Sequence, residues 1–244
     1  MILERSFDSL GQRPSALTDL AGAFAVTVNG VFARERCEAY LASLYTARAE
    51  WTSDFGDEQF CLGRAFYTHF EQDRCRQYFA DARASDERVE RRLPGLQARL
   101  GQLVAAFTGG TQHARRGFCG AGVHVFPAGE KVAREGGVIH FDTEGLPDHH
   151  ARRRKRALSL VVMLQRPDHG GGLKLWSKRY AGHGAPDSAD LRGPMYEADY
   201  AVGSALVFDS YRLHQIQPFS GQSDRISATL HAAEIDENRW ETWF

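Results

Sequence analysis

The feature that most constrains the fold of this chain is a change of periodicity near Gly117. Before it, apolar residues recur at helical spacing. After it come short alternating runs broken by Gly, Pro and Asp. In the first part, Val31, Cys37, Tyr40, Leu41, Leu44 and Tyr45 predict a helix from about Ala33 to Ala49. A second helical stretch runs from about Phe66 to Ala82. A third, Asp86 to Phe107, places Leu93, Leu96, Leu100, Val104 and Phe107 on one face. Pro94 must interrupt it, because proline lacks an amide hydrogen and clashes with the preceding turn. A short strand is expected at Phe24–Val28, and residues 1 to about 22 read as an irregular lead-in.

Eight β-like runs follow: Gly122–Phe126, Val138–Asp142, Leu158–Leu164, Leu173–Trp176, Tyr196–Tyr200, Ser204–Phe208, His214–Gln217 and Arg225–Ala232. Short strands at this density predict an antiparallel sandwich or jelly roll. Helices first and strands second predict helices packed against one β core. The expected class is therefore mainly β with α, a cupin-like jelly-roll core flanked by N-terminal helices. A chain of 244 residues fits a single domain. Its expected parts are a mostly helical segment (1–116), the core (117–235) and a C-terminal tail (236–244).

Charge excludes some functions. The net charge of −1 gives no general attraction to nucleic acid or to an anionic membrane. No apolar stretch approaches bilayer length, and charges interrupt MILERSFDSL (1–10), so a cytoplasmic protein is expected. Cys37, Cys61, Cys75 and Cys119 form no C-x-x-C pair and read as reduced thiols.

The chemistry centres on His140 and Asp142. In a strand, residues i and i+2 share a face, so Val138, His140 and Asp142 would present an imidazole beside a carboxylate. The same bare pattern occurs at His69 and Glu71, but in a helical stretch, where such side chains diverge. His214, beyond the turn Gly203-Ser204 and the apolar run Ala205–Phe208, is the expected third ligand. Two histidines and a carboxylate leave coordination positions open and favour Fe(II) over structural zinc. Downstream, Arg225, Ser227 and Thr229 alternate with Ile226, Ala228 and Leu230. If the apolar set packs outward, Arg225 points inward and needs a carboxylate or phosphate partner. The distal carboxylate of a metal-chelating 2-oxo dicarboxylate would supply one, with Ser227 adding a hydrogen bond.

HFDTEG (140–145), LSLVVMLQRPDHGGGLKLW (158–176), GSALVFDSYRLHQIQPFSG (203–221) and RIS (225–227) resemble the prolyl-4-hydroxylase-like branch of the Fe(II)/2-oxoglutarate-dependent dioxygenase superfamily. The likeness covers roughly residues 120 to 232, and VNGVFARERCEAYL (28–41) is similar to that branch's lead-in. It implies a double-stranded β-helix fold, with Fe(II) on His140, Asp142 and His214, 2-oxoglutarate on Arg225 and Ser227, and O₂ as oxidant. Phe126 stands about where members carry a tyrosine that touches the cosubstrate, so that contact must be absent or replaced, with His124 a candidate. Related halogenases have a small residue at the position of Asp142, so its presence favours hydroxylation.

The expected function is hydroxylation of an unactivated C–H in a small molecule, such as an amino acid or natural-product intermediate, with succinate and CO₂ as coproducts. Alternatives are a protein or peptide hydroxylase and a non-catalytic cupin-like binding module. Glu144, Trp176 and Tyr211 are candidate substrate contacts, with Glu144 placed to hold a cationic group. The run Arg152–Arg156 reads first as a solvated lead into the next strand. Its functional reading is a dock for an acidic carrier protein or anionic substrate. Neither a nucleic-acid partner nor a membrane is expected.

Overall fold

The computed structural model describes residues 1–12, 15–182 and 186–244. A ten-stranded mixed sheet forms its centre. Along its main path the order is Ile2–Ser6, Ala25–Asn29, Ala205–Asp209, Ala157–Gln165, Arg225–Asp236, Gly122–Phe126, Gln59–Leu62 and Thr52–Asp54. Arg239–Trp243 also pairs with the long strand Arg225–Asp236 and, in parallel, with Thr111–Ala114. A second sheet joins Met195–Ala198, Leu173–Arg179 and Arg212–Ile216.

Alternation along the strands sorts side chains to two faces. Leu158, Leu160, Val162 and Leu164, with Ala205, Val207, Ile226, Ala228 and Leu230, turn to a core shared with Tyr40, Leu44, Leu96, Leu100, Val104 and Phe107 of the helices. Met163, Leu206 and Phe208 turn the other way, onto Leu173, Leu175 and Ala198 of the second sheet. The order is thus helices, large sheet, small sheet. Each fully buried leucine in these layers contributes about 1.5–3 kcal/mol of apolar transfer free energy.

The helices are Arg34–Thr46, Phe66–Glu71, Cys75–Arg92 and Leu96–Thr108, with shorter turns elsewhere. The long third helix predicted from sequence is cut where Pro94 stands. Cys75–Arg92 ends before it, and Leu96–Thr108 restarts after Gly95 at φ +79°.

Several expectations change. The lead-in is not irregular: Ile2–Ser6 pairs in parallel with Ala25–Asn29 at the sheet edge. The segment before Gly117 is not only helical, since it contributes five strands to the large sheet. Residues 236–244 are not a tail, because Arg239–Trp243 is a paired strand with Trp240, Trp243 and Phe244 buried. Thr52–Asp54 and Gln59–Leu62 form a local hairpin, but Ala25–Asn29, Gln59–Leu62 and Thr111–Ala114 join the sheet through strands distant in sequence, Ala205–Asp209, Gly122–Phe126 and Arg239–Trp243. Among the described residues no helix is long and apolar enough to cross a membrane.

Candidate metal centre and its cavity

The segment expected as the strand Val138–Asp142 is not one. It runs beside Arg212–Ile216 and touches it at intervals, with Gly137 N donating to Ile216 O at 2.9 Å and Asp142 N to Ser210 O at 2.9 Å. Between these, His140 and His214 form one isolated antiparallel bridge, each amide donating to the other's carbonyl at 3.1 and 3.0 Å. The contacts do not keep a single register, so no ladder forms. Val138 is 81% exposed, which removes the apolar burial that would hold a regular strand down.

The bridge nevertheless brings the two imidazoles together, with ring centroids 4.3 Å apart. Asp142 lies between them: Oδ1 is 3.3 Å from His140 Nε2, and Oδ2 is 3.5 Å from His214 Nε2. One potential ligand atom from each residue lies within 4.8 Å of the others. Both histidines use Nδ1–H on a backbone carbonyl, Val138 O at 2.8 Å and Arg212 O at 2.9 Å. That commits each Nδ1–H to the backbone and turns both Nε2 atoms toward Asp142, as the atoms that would bind a cation once unprotonated. Behind Asp142, Ser159 Oγ donates to Oδ2.

Electrostatics match a cation site. Burial raises the Asp142 pKa, but His214, His140 and His231 outweigh it and hold the carboxyl well below its usual range. Burial lowers His140, yet hydrogen bonding and attraction to Asp142 bring it up to about 9. His214, where burial dominates over Asp142, falls to about 4. Two nitrogens and a carboxylate converge, and among the described residues no lysine or arginine pairs with Asp142, so the donor set fits a divalent metal.

Beneath the triad, one cavity is lined jointly by His140, Asp142, His214, Arg225, Ser227 and His124. Arg225 is 1% exposed and has no carboxylate partner among the described residues. Its Nε donates to Gly171 O at 2.7 Å, Nη1 to Ser227 Oγ at 3.2 Å and Nη2 to the Tyr200 hydroxyl at 3.2 Å. The guanidinium also lies 5.6 Å from the centre of the Phe126 ring. The phenol absent at Phe126 is thus present nearby on Tyr200. His124 is buried, its Nδ1 is 3.1 Å from Cys61 Sγ, and burial lowers its pKa to about 3.

A wider cavity of 380 Å³ opens above the triad. Phe55, Phe66, Tyr67, Trp243 and Phe244 wall it, and Glu144 lies on its lining. Trp176 and Tyr211, the other candidate substrate contacts, lie elsewhere. Trp176 is buried with Phe141 and Leu213 and donates to Leu191 O. Tyr211 lines a different hollow and donates to His150 O. Trp176 faces the side of its strand opposite Leu173, which lines the inner cavity, and Tyr211 lies in the turn between Ala205–Asp209 and Arg212–Ile216. In the basic run, Arg156 pairs with Glu234 at 2.7 Å and Lys155 donates to Ile235 O at 2.9 Å. Arg152 and Arg153 are exposed.

Sequence reasoning missed several lining residues. His231 was findable, because it continues the two-residue alternation of Arg225, Ser227 and Thr229 into the same cavity. Tyr67 and Glu71 carried no such signal. They come from the helix Phe66–Glu71, which also holds the decoy His69, buried and bonded to Ala65 O.

Residues 131–232 match the model of the 2OG-Fe(II) oxygenase superfamily. No curated protein matches. Among solved structures, the non-heme alpha ketoglutarate dependent epimerase SnoN from nogalamycin biosynthesis aligns over 91% of this chain and 84% of its own, at 16% identity and a TM-score of 0.54. SnoN in complex with Fe3+, alpha ketoglutarate and nogalamycin RO aligns at 16% identity and 0.53, over 91% and 87%. A Pseudomonas putida prolyl-4-hydroxylase aligns at 17% identity and 0.45, over 90% and 96%. At these identities the SnoN likeness is one of fold.

Proposed function

From this chain's membership of the 2OG-Fe(II) oxygenase superfamily, which uses Fe(II), 2-oxoglutarate and O₂, we propose an oxygenase that hydroxylates an unactivated C–H of a small molecule. Its core is read as a double-stranded β-helix. The observation that carries this reading is the shared cavity. A histidine–aspartate–histidine triad and a buried, carboxylate-free Arg225 open into the same space.

His140, Asp142 and His214 would hold the metal. Arg225 and Ser227 would hold the distal carboxylate of 2-oxoglutarate, with Tyr200 keeping the guanidinium in place. When bound, Fe(II) and 2-oxoglutarate supply oxidation of a C–H bond by O₂, with succinate and CO₂ as coproducts. The chain's residues position these groups and exclude water. Val161, Leu173, Phe208 and Ile216 line the inner cavity with apolar surface, which strengthens the Arg225–carboxylate attraction.

The outer cavity, at 380 Å³ with an aromatic wall, has the size of a small-molecule site, which favours such a substrate over a peptide. Anaerobic titration of the metal-free protein with Fe(II) and 2-oxoglutarate tests the reading. A visible metal-to-ligand charge-transfer band is expected in the wild type and should be lost in His140→Ala and His214→Ala. A folded wild-type protein that gives no band overturns it.

A further inference from the structure

The inner cavity, which holds Arg225, and the outer one, with its aromatic wall, share a boundary. Among the described residues six line both: Tyr67, Phe126, His140, Asp142, Ile216 and His231. A substrate in the outer cavity meets the metal ligands across this boundary, so its polar groups act nearest the reacting carbon. Two of the six are metal ligands and two are apolar. Of the other two, His231 has Nδ1 3.3 Å from Ser159 Oγ and its ring stacked on Trp243, centroids 5.9 Å apart. Tyr67 is placed differently.

Its phenol oxygen accepts a hydrogen bond from Gln59 Nε2 at 2.8 Å. A phenol has one proton to give and can also accept. Because the amide is the donor, that proton is not spent on Gln59, and no described residue accepts it. Burial, with the Cys61 thiol nearby, raises the phenol well above its usual range, so it keeps the proton. The side chain is also held in place. Its ring stacks on Phe55, with centroids 6.5 Å apart, and lies 5.7 Å from that of His124. Gln59 is itself buried, on the strand Gln59–Leu62. The cavity wall beside the metal ligands therefore carries a positioned O–H donor without a partner in the protein. Solvent can take that proton until a substrate displaces it. A substrate that then offers no acceptor loses affinity.

We propose that Tyr67 determines substrate specificity: its hydroxyl donates to an oxygen of the substrate, a carbonyl, ether or alcohol, close to the carbon that is oxidised. The inference rests on the oxygenase reading for the reaction, but recognition of the oxygen can be measured without it. The cosubstrate does not need this donor, since the metal would hold its 2-oxo acid end and Arg225 with Ser227 its distal carboxylate. The hydrocarbon part of the substrate belongs farther out, against Phe66, Trp243 and Phe244.

The test is a double-mutant cycle on the full chain, read by NMR titration with acetophenone and its hydrocarbon isostere α-methylstyrene. The probes differ only in C=O against C=CH₂. The alkene is the more hydrophobic, so the effect of the substitution on each probe is compared, not the raw affinities. Shifts in the backbone amides of the helix Phe66–Glu71 place the probe in the cavity. Tyr67→Phe should weaken acetophenone binding about fivefold, the worth of one neutral hydrogen bond. It should leave α-methylstyrene within about twofold. The variant keeps the ring and its stacking, so a merely structural role would move both probes alike. Equal changes for the two probes, no change for either, or no binding of acetophenone to the wild-type cavity at millimolar concentration overturns the proposal. The charge-transfer titration is independent of these outcomes. A difference between the probes without that band sinks the oxygenase reading alone, and a band without the difference sinks the Tyr67 contact alone.

Discussion

Ser159 Oγ donates to Asp142 Oδ2 at 2.5 Å, and the same hydroxyl lies 2.9 Å from Ser210 Oγ and 3.3 Å from His231 Nδ1. With its single proton given to Asp142, the hydroxyl can only accept from the other two. The network fixes the carboxylate whose two oxygens face the two histidines. Ser159→Ala should weaken metal binding about 10–100-fold, the usual effect of removing a group that orients a metal ligand. Anaerobic Fe(II) titration measures it, and unchanged affinity would show that Asp142 is held by its backbone alone.

Arg225 should dominate cosubstrate affinity. Leaving one member of a buried hydrogen-bonded charge pair without its partner costs about 2–5 kcal/mol. Arg225→Gln is therefore expected to weaken 2-oxoglutarate binding by about thirtyfold or more, with Fe(II) affinity nearly unchanged. Tyr200→Phe, which removes only the hydroxyl that supports Nη2, should produce a smaller loss of a few fold. Equal effects from the two variants would overturn the ranking and show that the guanidinium binds only when the Tyr200 hydroxyl holds it.

Metal affinity should rise with pH. In the metal-free site His140 titrates at about 9, so near neutrality its imidazole carries a proton that an incoming cation must displace. His214, at about 4, is already neutral there, and Asp142 is ionised. Apparent Fe(II) affinity should climb about tenfold per pH unit between roughly pH 6 and 8, with about one proton released. Calorimetry in buffers of different ionisation enthalpy counts that proton. A flat profile with no release would show that His140 is neutral before the metal arrives.

Gly203 sets the entry to the strand Ala205–Asp209, from which the chain turns back toward His214. It adopts φ +81°, and a Cβ there would collide with the carbonyl oxygen of Phe32. Its own carbonyl accepts from Phe32 N at 3.0 Å, so neither partner can move away freely. Gly203→Ala should destabilise the protein by about 2 kcal/mol or more. Denaturant unfolding reads this directly, and a change below about 0.5 kcal/mol would mean the turn relaxes.

The sequence by itself determined the faces of the strands and the donor types at the metal centre. Ile226, Ala228 and Leu230 alternate with Arg225, Ser227 and Thr229 because successive side chains in a strand point to opposite sides. The two sides here are the helical core and the cavity. Pro94 likewise divided its helix by local covalent geometry. Tertiary structure decided what joins these pieces. His140 and Asp142 are not set on a regular strand; reciprocal amide bonds to His214 place them, between segments far apart in sequence. The cavity wall is assembled from the helix Phe66–Glu71 and the C-terminal Trp243 and Phe244, and no local pattern encodes that approach. Packing also moved Trp176 and Tyr211 away from the site, though both lie in motifs that border it. Local preference acts over a few residues, whereas a site that binds a metal, an acid and a substrate needs groups that only long-range burial can bring together.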